Sequence, residues 1–330
     1  MGTVGSRAGN FVISLDYELM WGVRDHATRE TYGRNVLGGR EAIPAMLDLF
    51  HKCGIRATWA TVGALLCEGK DELVVRAKDA TVGRAVLASL QDIGPDERRD
   101  PYHFGASLAR RIASCEGQEI GTHTFSHRCA LEPGEMLKSF AADVSHALLQ
   151  LREWGIKCRS IVFPRNQYAQ AHLEACGLLG LTHFRGNEKA WFYAPASGDK
   201  QTKPRRLCRL ADSYIDLSGP NVSLPEDGIG PLVNVASSRF LRPFHQRLAP
   251  FDGLRLRRIE KAMENAALTG GTFHLWWHPE NFGANLAENL SVLTRVLAVF
   301  DRLRGEHGMQ SRAMHEIAAR APALQASCAA

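Results

Sequence analysis

The chain has 330 residues, 45% hydrophobic and 23% charged, a balance that suits a globular protein with a sizeable core and excludes a disordered or fibrous one. Its formal net charge of +5 is modest for the length, and no block of Lys and Arg points to a nucleic-acid polymer as partner. There is no apolar run of about eighteen residues, and the amino-terminal MGTVGSRAGN lacks the apolar core of a signal peptide, so a cytoplasmic protein is expected.

NFVISLDYE, residues 10 to 18, is a short apolar and β-branched run closing on acids, and it predicts a buried strand. In GGREAIPAMLDLFHKCGI, Ile43, Met46, Leu47, Leu49 and Phe50 recur at helical spacing, with Gly54 as the C-cap. RATWATVG reads as a second strand. A charge-rich helical region follows over about 65 to 118, in which PDERRDPYHFG looks like an excursion over the surface. QEIGTH is a third strand, EPGEMLKSFAADVSHALLQLREWG a long amphipathic helix and CRSIVFPRN a fourth strand. A helix over about 168 to 178 then precedes a strand in LTHFRGN. Residues 188 to 235 lose periodicity and become rich in Gly, Pro, Ser and Asp, which predicts an irregular insertion that shapes a substrate cleft. A helix over about 252 to 268 contains RLRRIEK, a run that could touch phosphate or an anionic membrane surface in passing; its plainer reading is a solvated face. GTFHLWWHP is another buried strand, and the last forty residues read as helical up to an Ala-rich tail.

No repeat or linker divides the chain, so residues 1 to 330 are expected to form one domain. Alternating strands and helices predict a mainly parallel sheet, either an open doubly wound one or a closed barrel. The eight cysteines show no C-x-x-C pair and read as reduced structural residues, Cys129 included.

In either architecture, chemistry collects at the carboxyl ends of the strands. Those ends carry Asp16 and Glu18, Thr61, His123, Arg165, Arg185 with Asn187, and His278. In EIGTHTFSH, His123 and His127 are four apart, which on a helical turn places both on one face. Asp16 and Glu18 are two apart, so on an extended chain both point the same way. Taken singly, the histidine pair reads as ordinary surface residues and DYE as a solvated strand end. A carboxylate beside two histidines is, however, the inventory of a catalytic zinc site that leaves room for water. Polar groups ending one apolar strand after another favour that reading. His274 shares a face with Trp276 and His278, and Trp191, Trp276 and Trp277 are expected in the core.

SLDYE, TWATVG, HTFSH, FPRN and LWWHPENFG occur in the order and approximate spacing of the polysaccharide deacetylases of the NodB-homology, carbohydrate-esterase type. The chain resembles that family over roughly residues 10 to 190 and 270 to 285. The most specific match is H-[ST]-x-x-H, reproduced by His123, Thr124 and His127. The resemblance implies a NodB-like distorted (β/α)7-8 barrel and metal-dependent removal of N-acetyl groups from amino sugars. It implies a divalent metal, zinc by preference, held by Glu18, His123 and His127. It further implies Asp16 as general base, His278 as the acid toward the leaving amine, and Arg165 as the arginine that orients Asp16.

The chain departs from the family in two places. The commonest form ends its first strand in Asp-Asp, whereas Tyr17 stands second here, so the ligand role passes to Glu18 by a D-x-D type of spacing; Asp16 as a direct ligand is the competing assignment. In FPRN, Pro164 precedes Arg165, the reverse of the usual order. FVISLDYELMWG and LWWHPENFG resemble the branch associated with bacterial surface glycans. That branch implies a nucleotide- or lipid-linked N-acetylamino sugar destined for O-antigen, capsule or exopolysaccharide. The altered spacing keeps an alternative open, a metal-independent or different-substrate C–N hydrolase on the same fold, allantoinase- or deformylase-like. A non-catalytic sugar-binding copy of the barrel is the third reading.

Overall fold

Alternation along the first strand, β1 (Asn10–Tyr17), sets the frame of the molecule. In the computed structural model, which describes residues 8–79, 90–224 and 232–318, Phe11, Ile13, Leu15 and Tyr17 face one way and join the main hydrophobic core. Val12 faces the other way, into a small second cluster with Ala60, Val162, Val235 and Met314, and Ser14 and Asp16 continue that inward face. Both faces are buried, as expected of a parallel strand covered on each side.

The other strands are β2 (Ala57–Thr61), β3 (Gln118–Thr122), β4 (Ser160–Ile161), β5 (His183–Phe184), β6 (Val233–Asn234), β7 (Arg239–Phe240), β8 (Thr272–Trp277) and β9 (Gln310–Arg312). Among the described residues they form one sheet in the order β6-β5-β4-β3-β2-β1-β8-β7, with β9 on β1, and every ladder is parallel. All carboxyl ends therefore lie on one rim. The chain between β6 and β7 bridges the two edges: Val235 and Ser237 donate their N–H groups to Phe184 and Gly186 (2.9 and 2.8 Å), and Ser238 donates to His274 on β8 (2.8 Å). The curl so formed is the NodB-like distorted barrel.

Helices α1 (Arg29–Cys53), α2 (Lys70–Asp79), α3 (Ala106–Ser114), α4 (Leu137–Glu153), α5 (Gln170–Leu178), α6 (Lys203–Asp212), α7 (Asp252–Thr269) and α8 (Leu286–His307) accompany the sheet. Phe50 of α1 packs against Trp59 and Trp277 (ring centroids 6.2 and 6.3 Å), and Phe300 of α8 packs against Phe11 (5.2 Å). No described helix is long and apolar enough to cross a membrane. The described cysteines are all free; Cys328 and the Ala-rich tail lie outside the described residues.

Several boundaries differ from the sequence expectation. α1 begins at Arg29, well before Gly38, because Thr28 donates its N–H to Thr31 Oγ1 (2.9 Å) and starts the helix there. Gly38 and Gly39 lie inside it for a packing reason. A Cβ on Gly38 would sit 2.3 Å from the Gly283 carbonyl oxygen, and one on Gly39 would sit 2.8 Å from Glu280 Cα. The pair lets the PENFG turn after β8 lie directly on the helix. Gly54 does cap α1, in the left-handed region at φ 65°. The region 65 to 118 is not continuously helical: residues 80 to 89 lie outside the described residues, and residues 93 to 105, ahead of α3, form a loop tied to buried Asp100, which accepts from Gly94 N–H (2.7 Å) and Arg29 (2.9 Å). β6, β7 and β9 are two or three residues long, too short to carry a periodic signal.

Residues 188 to 224 are more ordered than expected, because they carry α6 and a buried ionic hub. Asp212, at the end of α6, is paired with Arg239 and Arg258 and accepts from Tyr193 (3.0 Å) and the Leu217 and Ser218 N–H groups (3.0 and 2.9 Å). RLRRIEK is correspondingly not a solvated face, since Arg255 and Arg258 turn inward. Asp212→Ala leaves two buried arginines without their carboxylate and is expected to cost about 3–5 kcal/mol. Limited proteolysis checks this, with new cleavage expected between residues 188 and 224.

Candidate active site

Six inward or rim positions converge at the carboxyl end of the barrel: Asp16 and Glu18 after β1, His123 and His127 after β3, Arg185 after β5 and His278 after β8. His123 donates Nδ1–H to the Val162 carbonyl (2.8 Å), which leaves only a lone pair on Nε2. That lone pair faces Glu18 Oε2 at 3.2 Å, and His127 Nε2 lies 3.0 Å from the same oxygen. Glu18 Oε2 and His123 Nε2 are buried with no hydrogen-bond partner among the described residues. Two buried acceptors pointed at each other are unfavourable unless a cation lies between them. One ligand atom from each of the three side chains falls within 4.8 Å of the others, a carboxylate–His–His set that fits a zinc-like divalent ion. The Val162 carbonyl gives His123 the kind of outer hydrogen bond that would fix its imidazole toward an ion.

The two histidines do not share a helical turn. β3 ends at Thr122, and the following loop places Thr124 and His127 in the left-handed region, at φ 65° and 54°. Such conformations cost about 1–3 kcal/mol each and need support from their surroundings. Asp143, buried on α4, supplies it by accepting the Phe125 and Ser126 N–H groups (2.7 and 3.1 Å); Thr124 Oγ1 accepts from Arg128 N–H (2.8 Å). Sequence reasoning passed over Asp143, yet it left a trace. Asp143 falls on the same stripe of α4 as Phe140, Val144, Ala147 and Leu151, where a charge has no place unless it is bonded.

Asp16 lies beside this trio and is held by Arg185, whose two terminal nitrogens donate to its two carboxylate oxygens (2.7 Å each). Arg185 also donates to Ser14 and Asn166 (3.0 Å each), and its guanidinium stacks 4.0 Å above the Trp276 ring centroid. His274 completes the chain: Nδ1–H donates to the Val235 carbonyl, so Nε2 accepts the Ser14 hydroxyl (2.8 Å each). Burial, with Arg185 adding, pushes His274 down to about 3, and it stays neutral. Burial opposes ionisation of Asp16, but Arg185, then His123 and His278, outweigh it and hold the carboxyl below its usual range.

His278 donates from Nδ1 to Glu18 Oε1 (2.9 Å). Burial acts to lower its pKa, but Glu18 first, then Asp16 and Glu280, raise it to about 9. Glu280 accepts the Leu19 N–H (2.6 Å) and so clamps the chain just after Glu18, where Leu19 is left-handed at φ 48°.

Arg165 does not orient Asp16. The turn Pro164–Asn166 places Arg165 and Asn166 in the left-handed region, at φ 55° and 52°, and sends the Arg165 side chain outward to pair with Asp25 and, more loosely, Glu132 (3.9 Å). Arg185, at an inward position just past β5, is the arginine in contact with Asp16. Trp277 is core as expected, but Trp276 faces inward beneath Arg185 and Trp191 is 63% exposed. A cleft of about 490 Å³ opens beside His278 and Trp276, with Tyr193, Arg209 and Arg242 among its walls, so the 188–235 segment contributes to it.

The architecture that carries these groups is the NodB-like distorted barrel, a fold shared with a solved protein assigned as a polysaccharide deacetylase. The chain superposes on the crystal structure of a Mycobacterium smegmatis protein assigned as a polysaccharide deacetylase with a TM-score of 0.57, at 13% identity, over 96% of this chain and 91% of that one. It also matches a Streptococcus mutans CE4 esterase (TM-score 0.41, 12% identity, 93% and 87% covered). A GH57-type branching enzyme from Pyrococcus horikoshii matches as well (TM-score 0.49, 13% identity, 93% and 69% covered). The likeness to the Mycobacterium smegmatis protein, at 13% identity, defines the fold alone. No protein-family model matches the chain, and no curated protein matches it in sequence.

Proposed function

We propose that the protein is a metal-dependent hydrolase that removes the N-acetyl group of an amino sugar, with Glu18, His123 and His127 as the metal ligands. The observation that carries this reading is the pair of buried acceptors, Glu18 Oε2 and His123 Nε2, set 3.2 Å apart with no proton between them. A divalent ion held there supplies carbonyl polarisation and a water of lowered pKa.

Asp16 is the general base. Arg185 fixes its orientation and keeps it ionised, and each of its oxygens retains a lone pair that can take a proton from water. His278 is the general acid. Its Nδ1 is committed to Glu18 Oε1, which leaves Nε2 to deliver a proton to the departing amine nitrogen. Arg185 stacks on Trp276, whose ring also lies edge-on to His278 (centroids 5.8 Å apart), so the two groups share one aromatic support. The substrate in this reading is an N-acetylated sugar of bacterial surface-glycan biosynthesis, carried on a nucleotide or a lipid, and zinc is the ion that the donor set favours.

Acetate release is the test. Protein reconstituted with zinc is expected to release acetate from N-acetylglucosamine-containing substrates, to stop on chelation and to recover when zinc is restored. A zinc-loaded protein that releases none from free, oligomeric or diphosphate-linked N-acetyl sugars would overturn the reading.

A further inference from the structure

The cleft beside His278 carries a charge that amide hydrolysis does not use. Five arginines line it, Arg165, Arg206, Arg209, Arg239 and Arg242, against a single carboxyl, Glu188. Arg165 and Arg239 are already paired, with Asp25 and Asp212. Among the described residues no carboxylate lies in ion-pair range of Arg206, Arg209 or Arg242. Arg209 donates to Gln201 Oε1 and Arg242 to Ser213 Oγ (2.6 Å each), neutral acceptors that orient a guanidinium without cancelling its charge. Burial, with Arg205 and Arg242 adding, lowers the pKa of Arg209; burial, with Arg255 adding, lowers that of Arg242. Arg209 and Arg242 have thus been gathered and partly desolvated with no carboxylate paired to them. Glu188 offsets this only in part: it acts on Arg209, but it is 7% exposed, burial pushes its own carboxyl upward, and it pairs with none of the three. Its Oε1 and Arg239 Nε, both on nearly buried cleft-lining side chains, have no hydrogen-bond partner among the described residues.

We infer that this cleft is an oxyanion subsite, in which Arg206, Arg209 and Arg242 hold a phosphate or diphosphate joined to the sugar whose N-acetyl group reaches Glu18, His123 and His127. The sugar half of this inference rests on the deacetylase reading; the anion half does not. Guanidinium groups bind phosphate oxygens in pairs through a planar fork, and a diphosphate offers enough charge and oxygens for three of them. A neutral polysaccharide would leave the same cations desolvated and uncompensated. The volume, about 490 Å³, suits a diphosphate with its first sugar, and Trp276, Phe240 and Tyr193 add aromatic surface for the sugar ring. The 188–235 segment brings two of the three arginines, which gives that segment a role in specificity.

The test is titration calorimetry of the zinc-loaded protein with inorganic pyrophosphate, beside Arg209→Gln, Arg206→Gln, His127→Ala and the surface control Arg295→Gln, each checked for fold by circular dichroism. Arg209→Gln is expected to weaken binding by about 10- to 100-fold, the loss of one charge-assisted contact, and Arg206→Gln, at an exposed position, provides a second variant with little risk to folding. His127→Ala and Arg295→Gln are expected to bind as the native protein does. No pyrophosphate binding, binding by both arginine variants as tight as that of the native protein, or binding lost only in His127→Ala, which would assign the anion to the metal, would each overturn the subsite. Acetate release is then compared for uridine diphosphate-N-acetylglucosamine, farnesyl diphosphate-linked N-acetylglucosamine and N-acetylchitotetraose. An Arg209-dependent preference for either diphosphate over the neutral oligosaccharide supports the subsite and identifies its carrier. Hydrolysis of all three at equal rates overturns it. Arginine-dependent pyrophosphate binding without acetate release would overturn the deacetylase reading and leave the subsite standing.

Discussion

Asp16→Asn is expected to reduce kcat for acetate release by about 100- to 10,000-fold, the usual contribution of a positioned general base, while leaving the bound metal in place. The expectation follows from a division of labour between two carboxylates only two residues apart. Glu18 turns toward His123 and His127, whereas Asp16 has both oxygens on Arg185. Asparagine keeps the shape and one acceptor for Arg185 but cannot take a proton from water. Steady-state kinetics and metal content measured on the same preparation separate the two assignments of Asp16. Lost activity with metal retained makes Asp16 the base, and loss of the metal itself makes it a ligand. Native kcat in the variant would contradict both.

Arg185→Gln is expected to be far more damaging than Arg165→Gln, although both arginines end strands of the same barrel. Arg185 is fully buried, and its removal leaves the Asp16 carboxylate without its counter-ion, at a cost of about 3–5 kcal/mol. It also takes away the donors to Ser14 and Asn166 and the stack on Trp276, so Asp16 loses its orientation and kcat falls with stability. Arg165 makes a partly exposed pair with Asp25, of the kind worth about 0–1 kcal/mol. Thermal melts and kinetics of the two variants check this. Equal effects, or a larger effect at Arg165, would contradict the assignment of Arg185 as the residue that positions Asp16.

That contrast marks where the sequence is legible. Asp16, Glu18, His123 and His278 could be placed because β1 and β8 are largely apolar runs, β3 is the short strand QEIGT, each carries or leads into such a polar residue at its carboxyl end, and a parallel sheet gathers those ends on one rim. The choice between Arg165 and Arg185 was not legible. It depends on a left-handed turn at Pro164–Asn166 that throws one side chain outward, and neither residue is a glycine that would announce such a backbone. The same holds for His127, whose spacing from His123 suggests a helical turn but whose loop is shaped by Asp143, sixteen residues further on. Arg255 and Arg258 read as solvated because their partner Asp212 and the carbonyl of Arg242 are distant in sequence. Trp191 and Trp276 show the limit of a residue-type rule. Position on an inward or outward face decides their burial, and composition does not carry that information.

The most direct measurement is elemental analysis of the purified protein after incubation with zinc and dialysis, beside His127→Ala and Glu18→Gln. The account predicts about one divalent ion per chain, lost or strongly reduced in both variants, because a three-ligand site rarely survives removal of one ligand. A native protein that retains no ion, or variants that retain it as the native protein does, would contradict the claim that Glu18, His123 and His127 form a metal centre.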